Sequence, residues 1–144
     1  MAVLLDTNVL VYLYDSRFPR KQEIAREVIR SAIESGQARI PHQAVVEFVA
    51  ATTRGAPDDR ILDFPDALRE AEEFLVLFPI LYPTDVVVRT ALRGAAAYGM
   101  SWFDAHMWAY AEVYGLSEVL SEDFQDGRLY GSVMVRNPFG NTVE

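Results

Sequence analysis

Short aliphatic runs alternate with longer stretches of helical spacing along almost the whole chain, and that alternation admits few folds. Residues 2–5 form the first run. Asp6-Thr7-Asn8 then offers three good helix N-caps, and a helix is expected from there to about Asp15. Pro19 suits the first turn of a second helix, whose stripe Ile24, Val28, Ile29 and Ile33 ends at Gly36. Residues 38–40 read as a strand, and Pro41 opens a helix running through Glu47 to about Arg54. After the loop 55–59 come a helix over 65–77 and a strand over 80–82. Thr84 caps a helix that reaches Tyr98 and stops at Gly99; Ser101 caps another that ends at Gly115. The last strands are expected over 119–121 and 132–135. Strands alternating with helices imply one three-layer α/β/α domain over 1–144. Its sheet is expected to be mostly parallel, with roughly four to five strands and helices on both faces.

Composition narrows the function classes. Cysteine is absent, which excludes disulfides and thiolate ligands and suits a reducing cytoplasm. The apolar start has no basic leader and is broken by Asp6, and no stretch approaches the ~18 uncharged apolar residues of a membrane span. The formal net charge is −8, from 21 acids and 13 bases, which argues against non-specific nucleic-acid binding. Yet Lys21 is the only lysine, so every other base is arginine, the side chain best shaped for bidentate phosphate contact. Arg17, Arg20, Lys21, Arg26 and Arg30 crowd one stretch, which allows a local basic face.

Four carboxylates interrupt apolar sequence. Asp6 stands between Val3-Leu4-Leu5 and Val9-Leu10-Val11, and Glu47 between Val45-Val46 and Phe48-Val49. Asp104 is the only charge between Trp102 and Ala111, and Asp123 closes Val119-Leu120-Ser121-Glu122. Desolvating a carboxylate costs several kcal/mol even after relaxation, so such acids need a partner. Taken singly, each has an ordinary reading. Asp6 can be an N-cap, Ser101-x-x-Asp104 a capping box, Glu47 a solvent-facing helix residue, and Asp123 and Asp126 turn residues. Taken together, their positions are harder to dismiss. Asp6 and Asp123 follow strands, on the sheet edge where open parallel α/β folds bind ligands. Asp104 lies in the first turn of its helix, facing the same edge, and Glu47 reaches it if its helix leans across the strand ends. Acids gathered from four elements, with no lysine adjacent, point to a site for a hard cation such as Mg²⁺ or Mn²⁺.

Leu4-Leu5-Asp6-Thr7-Asn8-Val9-Leu10, Val45-Val46-Glu47-Phe48, Ser101-Trp102-Phe103-Asp104-Ala105 and Leu120-Ser121-Glu122-Asp123-Phe124-Gln125-Asp126-Gly127 form an ordered set. With the ending Val135-Arg136-Asn137-Pro138-Phe139, this set resembles the PIN-domain ribonucleases, and most closely the VapC-like toxins of toxin–antitoxin pairs. The likeness spans nearly the whole chain except roughly 55–81. It implies that Asp6, Glu47, Asp104 and Asp123 bind the metal. Asp126 falls where relatives place a further acid or another polar residue. Asn8 and Ser121 match polar positions that support the acids, with Thr7 a further support, and Glu122 competes with Asp123 for its role. The implied chemistry is endonucleolytic RNA hydrolysis by a metal-activated water, leaving a 3′-hydroxyl and a 5′-phosphate. The implied partners are a cognate antitoxin and a second copy of the chain.

Holding an RNA backbone against the acidic total falls to the metal and to arginines, with Arg17, Arg20, Lys21 and Arg128 as candidates. His106 reads as a core or interface residue and His42 as a helix-start residue. Trp102, Phe103, Trp108 and Tyr110, at helical spacing, read as core or subunit contact rather than base platforms. Two alternatives stay open. A metal-dependent phosphatase of another α/β family also begins with an aspartate after its first strand, but needs a second acid where this chain has Asn8. A PIN-like interaction module without catalysis would not need the acids, all of which are present.

Overall fold

The structure, a computed structural model, describes residues 2–140. β1 (Val3–Leu5) passes into α1 (Thr7–Tyr12) through Asp6 alone. α2 (Pro19–Ser35) leads back to β2 (Ala38–Pro41), which enters α3 (His42–Thr52) with no intervening residue. α4 (Phe64–Leu77) precedes β3 (Ile80–Leu81), and α5 (Asp85–Tyr98) and α6 (Trp102–Tyr114) precede β4 (Glu118–Leu120). β5 (Leu129–Tyr130) and β6 (Val133–Arg136) complete the sheet.

The strand order is β3-β2-β1-β4-β6-β5, and every neighbouring pair is parallel except β5 with β6. From β1 the chain steps outward to β2 and β3, then returns to β4 on the other side of β1. The direction of winding therefore reverses between β1 and β4, and connections leaving the carboxyl ends of these strands diverge there and open a crevice. Successive strand residues point to opposite faces, and Leu4 and Leu5 are both 0 % exposed, so helices cover both faces of β1.

Two helix contacts show how side-chain size sets the layers. On α2 the buried positions are Ala25, Ile29 and Ala32, while Ile24 and Val28 are half-buried and Ile33 is exposed. The aliphatic stripe read from sequence is thus rotated towards the alanines, whose small side chains let the helix approach the sheet. Between α5 and α6, a Cβ added at Gly94 would lie 2.7 Å from Cε3 of Trp108, so only glycine admits that ring. Trp108 Nε1 in turn donates to the Tyr130 carbonyl at 3.0 Å.

The structure also departs from the sequence reading at the end of α1 and in the number of strands. α1 stops at Tyr12 instead of continuing to Asp15, because the Asp15 carboxylate accepts from the Arg17 backbone N–H and guanidinium and turns the chain locally. The sheet has six strands, because Leu129–Tyr130 forms a hairpin partner for β6. Two residues carry no periodicity from which a strand is legible. No helix among the described residues is long and apolar enough to cross a membrane.

Candidate active site

The crevice between β1 and β4 gathers the four isolated acids. Asp6 directly follows β1, where its backbone N–H still bonds the Leu120 carbonyl of β4 at 3.0 Å. Its side chain is 4 % exposed. Oδ1 accepts from the Thr7 backbone N–H at 2.6 Å, and Oδ2 from the Ser121 hydroxyl at 2.6 Å. Burial pushes this carboxyl up to about 7, against the pull of its Ser121 and Thr7 hydrogen bonds. The negative charges of Asp123 and Glu47 add to the rise.

Ser121, fully buried just past β4, is the hub of the support. While donating to Asp6, its Oγ accepts from Asn8 Nδ2 at 3.2 Å and from the Asp123 backbone N–H at 3.1 Å. Asn8 Nδ2 also donates to Asp123 Oδ2 at 3.1 Å, and the Asn8 carbonyl oxygen accepts from Glu122 N–H at 3.4 Å. On α3, Glu47 accepts from the Thr7 hydroxyl at 2.8 Å and from Gln43 Nε2 at 2.8 Å. Gln43 Nε2 also donates to the Phe103 carbonyl at 3.2 Å and so ties α3 to the start of α6. Asp104 occupies the first turn of α6, its N–H bonded to the Ser101 hydroxyl at 3.1 Å. Ser101 is therefore the cap expected of it. The Asp104 carboxyl, half-buried, is raised by burial and by the charges of Asp123 and Glu47, and lowered by its Ser101 hydrogen bond.

Asp6, Glu47, Asp104 and Asp123 line one cleft of about 610 Å³ with Thr7 and Asn8. None of the four takes part in an ion pair among the described residues. Nor do three or more of the described acids and histidines already converge at ligand distance. The donor set is all hard oxygen, and Mg²⁺ keeps several waters and is commonly held by one or two carboxylates, so the chemistry fits such an ion without a closed cage. Asp6 and Asp104, with raised carboxyls, are the groups a cation would relieve most.

The remaining sequence candidates sort by position. Arg17 lines the cleft, held by both oxygens of Asp15 at 2.8 Å. Arg20, Lys21, Arg128 and Asp126 do not line it. Lys21 Nζ donates to Glu122 Oε2 at 3.1 Å and to Tyr12 Oη at 3.3 Å, and Tyr12 donates to Glu122 Oε1 at 2.6 Å. Glu122 is thereby neutralised, whereas its neighbour Asp123 is not. Asp126 accepts from the Asn137 N–H at 2.8 Å, and Arg128 lies 4.5 Å from the Tyr130 ring centre. His106 sits against the Trp102 carbonyl, and His42 stacks near Tyr82, both away from the cleft. Sequence reasoning missed Gln43, Asp15 and Arg54, all of which line the cleft. For Gln43, its place one helical turn before Glu47 was the available signal.

A family model described as PIN domain matches residues 3–128. The chain belongs to the PIN-domain family. No curated protein matches the sequence at a significant level. Among solved structures, a toxin–antitoxin complex from Klebsiella pneumoniae is similar at 19% identity and TM-score 0.68, over 95% of this chain and 98% of that one. FitAcB from Neisseria gonorrhoeae is similar at 23% identity and TM-score 0.68, over 96% and 99%. VapC20 from Mycobacterium tuberculosis, described as a sarcin–ricin-loop-cleaving toxin, is similar at 14% identity and TM-score 0.69, over 85% and 90%. At these identities the likeness establishes that this PIN domain shares their fold.

Proposed function

We propose that this PIN domain is a divalent-metal-dependent endoribonuclease and the toxin of a toxin–antitoxin pair acting in the cytoplasm. The observation that carries the reading is Asp6, a buried carboxylate raised to about 7 that has two hydrogen-bond donors and, among the described residues, no cationic partner, at the point where the sheet reverses. Glu47, Asp104 and Asp123 face the same cleft. A similar fold in a toxin described as cleaving the sarcin–ricin loop supports RNA as the substrate, and similar folds in toxin–antitoxin complexes support an antitoxin partner.

Asp6, Asp104, Asp123 and Glu47 would hold Mg²⁺ or Mn²⁺, which supplies Lewis acidity towards water and phosphoryl oxygens. Ser121 and Thr7 N–H fix both Asp6 oxygens and so aim that carboxylate into the cleft. Asn8 holds Asp123 against Ser121, and Thr7 and Gln43 fix Glu47. As water adds to phosphorus the bond to the 3′-oxygen would break; one of the cleft carboxylates would take the water's proton, the leaving 3′-oxygen would be protonated from solvent, and Arg17, already aligned by Asp15, would meet the scissile strand. Antitoxin binding covers the same acidic cleft, and two toxin copies associate.

Purified protein with Mg²⁺ or Mn²⁺ is expected to cut RNA to 5′-phosphate ends, and chelator, Asp6→Asn and Asp104→Asn to abolish the cut. Absence of cleavage by the purified, antitoxin-free protein across structured RNAs, with either metal, would sink this reading.

A further inference from the structure

The cleft is only half accounted for by its acids. Apolar residues also line it: Val11, Ile61, Met107 and Phe103, together with Arg17 and Arg54. Phe103 is 67% exposed and takes no part in the hydrophobic core, although Asp104 beside it is half-buried. Its backbone is nevertheless fixed, because its carbonyl accepts from the same Gln43 amide that holds Glu47. The ring is thus exposed on a backbone held by the same side chain that holds Glu47. Further along this helix Trp108 and Tyr110 are buried and unavailable, while the exposed Trp102 and Tyr114 do not line the cleft.

The cations narrow the ligand. Arg17 and Arg54 are the only basic residues lining the cleft among those described. Arg17 is already aligned, with its Nε and one terminal nitrogen on Asp15 and its side chain 64% exposed. An occupant that combines a flat apolar face with an anion satisfies both the apolar residues and the arginines. A cleft of about 610 Å³ falls in the range of ligand sites, on the order of 300–1,000 Å³, and accommodates a nucleotide.

We propose that the apolar lining is a subsite for one unpaired nucleobase of the RNA, stacked on Phe103, with Arg54 and Arg17 on the flanking phosphates. This rests on the nuclease reading and extends it, because it assigns one exposed side chain of this protein to one base of the strand. A base engaged in a duplex cannot present its face to a ring, whereas a splayed base can.

Binding measured in chelator separates the two ideas, because no cleavage is then required. The probes are a short mixed-sequence oligoribonucleotide, the same strand with a single abasic position moved along it, and the strand paired with its complement. Phe103→Ala, checked for folding by its melting temperature, is expected to weaken single-strand binding by about 5- to 150-fold, the usual loss of one stacked base. Duplex binding should stay within about twofold, an abasic substitution at one position should reproduce the loss, and Phe103→Trp should restore binding. The emission of the new tryptophan should be quenched by the intact strand and not by that abasic strand. Single-strand binding by Phe103→Ala within twofold of the parent, or an equal loss for duplex, overturns the subsite. So does a Phe103→Ala variant that loses only a basic antitoxin-derived peptide, which would assign the lining to a protein partner. A metal-loaded parent that cuts no RNA overturns the nuclease reading instead, whatever the binding shows.

Discussion

Asp6 and Asp15 flank the same short helix, line the same cleft, and are each 4% exposed, yet their carboxyls are displaced in opposite directions. Burial carries Asp6 up to about 7. Asp15 lies close beneath the surface under an exposed guanidinium, and its hydrogen bonds with Arg17 lower it despite burial. What differs is the supply of positive charge. Asp15 brings its own, two residues away in the chain, and becomes a fixed part of the wall. Among the described residues Asp6 is given only neutral donors, and nothing offsets its charge once it ionises. Glu122 and Asp123 repeat the contrast on β4's exit, where Lys21 neutralises the first and Asn8 merely orients the second. In a crowd of acids, the ones left without a cation among the described residues are the ones the proposed metal would balance.

The sharpest way to break the comparison is to remove both carboxylates in turn. Asp6→Asn is expected to cost cleavage on the order of a hundred- to a thousandfold or more, and Asp15→Asn far less, read as kcat on one RNA. Equal losses would erase the distinction.

Their stabilities should follow pH in opposite senses. Asp6 is raised in the folded state, so its folded form holds the proton more tightly. Metal-free protein is favoured below about pH 4 on this account and loses that contribution as pH rises to about 7. The loss is on the order of 2–4 kcal/mol, and Asp6→Asn should flatten it in chemical denaturation. Asp15 is lowered, so its contribution is present above the ordinary aspartate range and lost on acidification. Mg²⁺ or Mn²⁺ should recover the Asp6 loss at neutral pH through binding to the folded state, seen as a rise in melting temperature.

Smaller still is the effect of Asp15→Ala at pH 7, about 1–3 kcal/mol in denaturant, because the Arg17 backbone N–H loses an acceptor. Smallest is Lys21→Met, expected to cost under about 1 kcal/mol, since this partly exposed pair is screened by solvent. If Glu122 is a bystander held by Lys21, Mn²⁺ affinity measured by titration should shift by less than about threefold. A larger change would place Glu122 among the ligands.

Much of the fold and of the site is legible in the order of residues. Caps at Thr84 and Ser101 stand where the hydroxyls sit, because an N-cap is a local bond between a side chain and an amide two or three residues on. The four acids are visible as charges in apolar runs, and the structure brings them to one cleft. Asp126 also stands out, but the loop uses it to receive the Asn137 N–H, a partner eleven residues away. Phe103 and Trp108 share the spacing of one helix, and nothing local distinguishes the exposed ring from the buried one.

The sequence alone determined the alternation of elements, their caps and which acids interrupt apolar runs, because each depends on neighbours within a few residues or on a residue's own cost of desolvation. Only the tertiary structure decided which carboxylate meets a cation. Lys21 reaches Glu122 across a hundred residues and Arg17 reaches Asp15 across two, while Asp6 receives the Ser121 hydroxyl from the far side of the strand reversal. Electrostatic balance is a property of distance in space, and chain separation does not encode it.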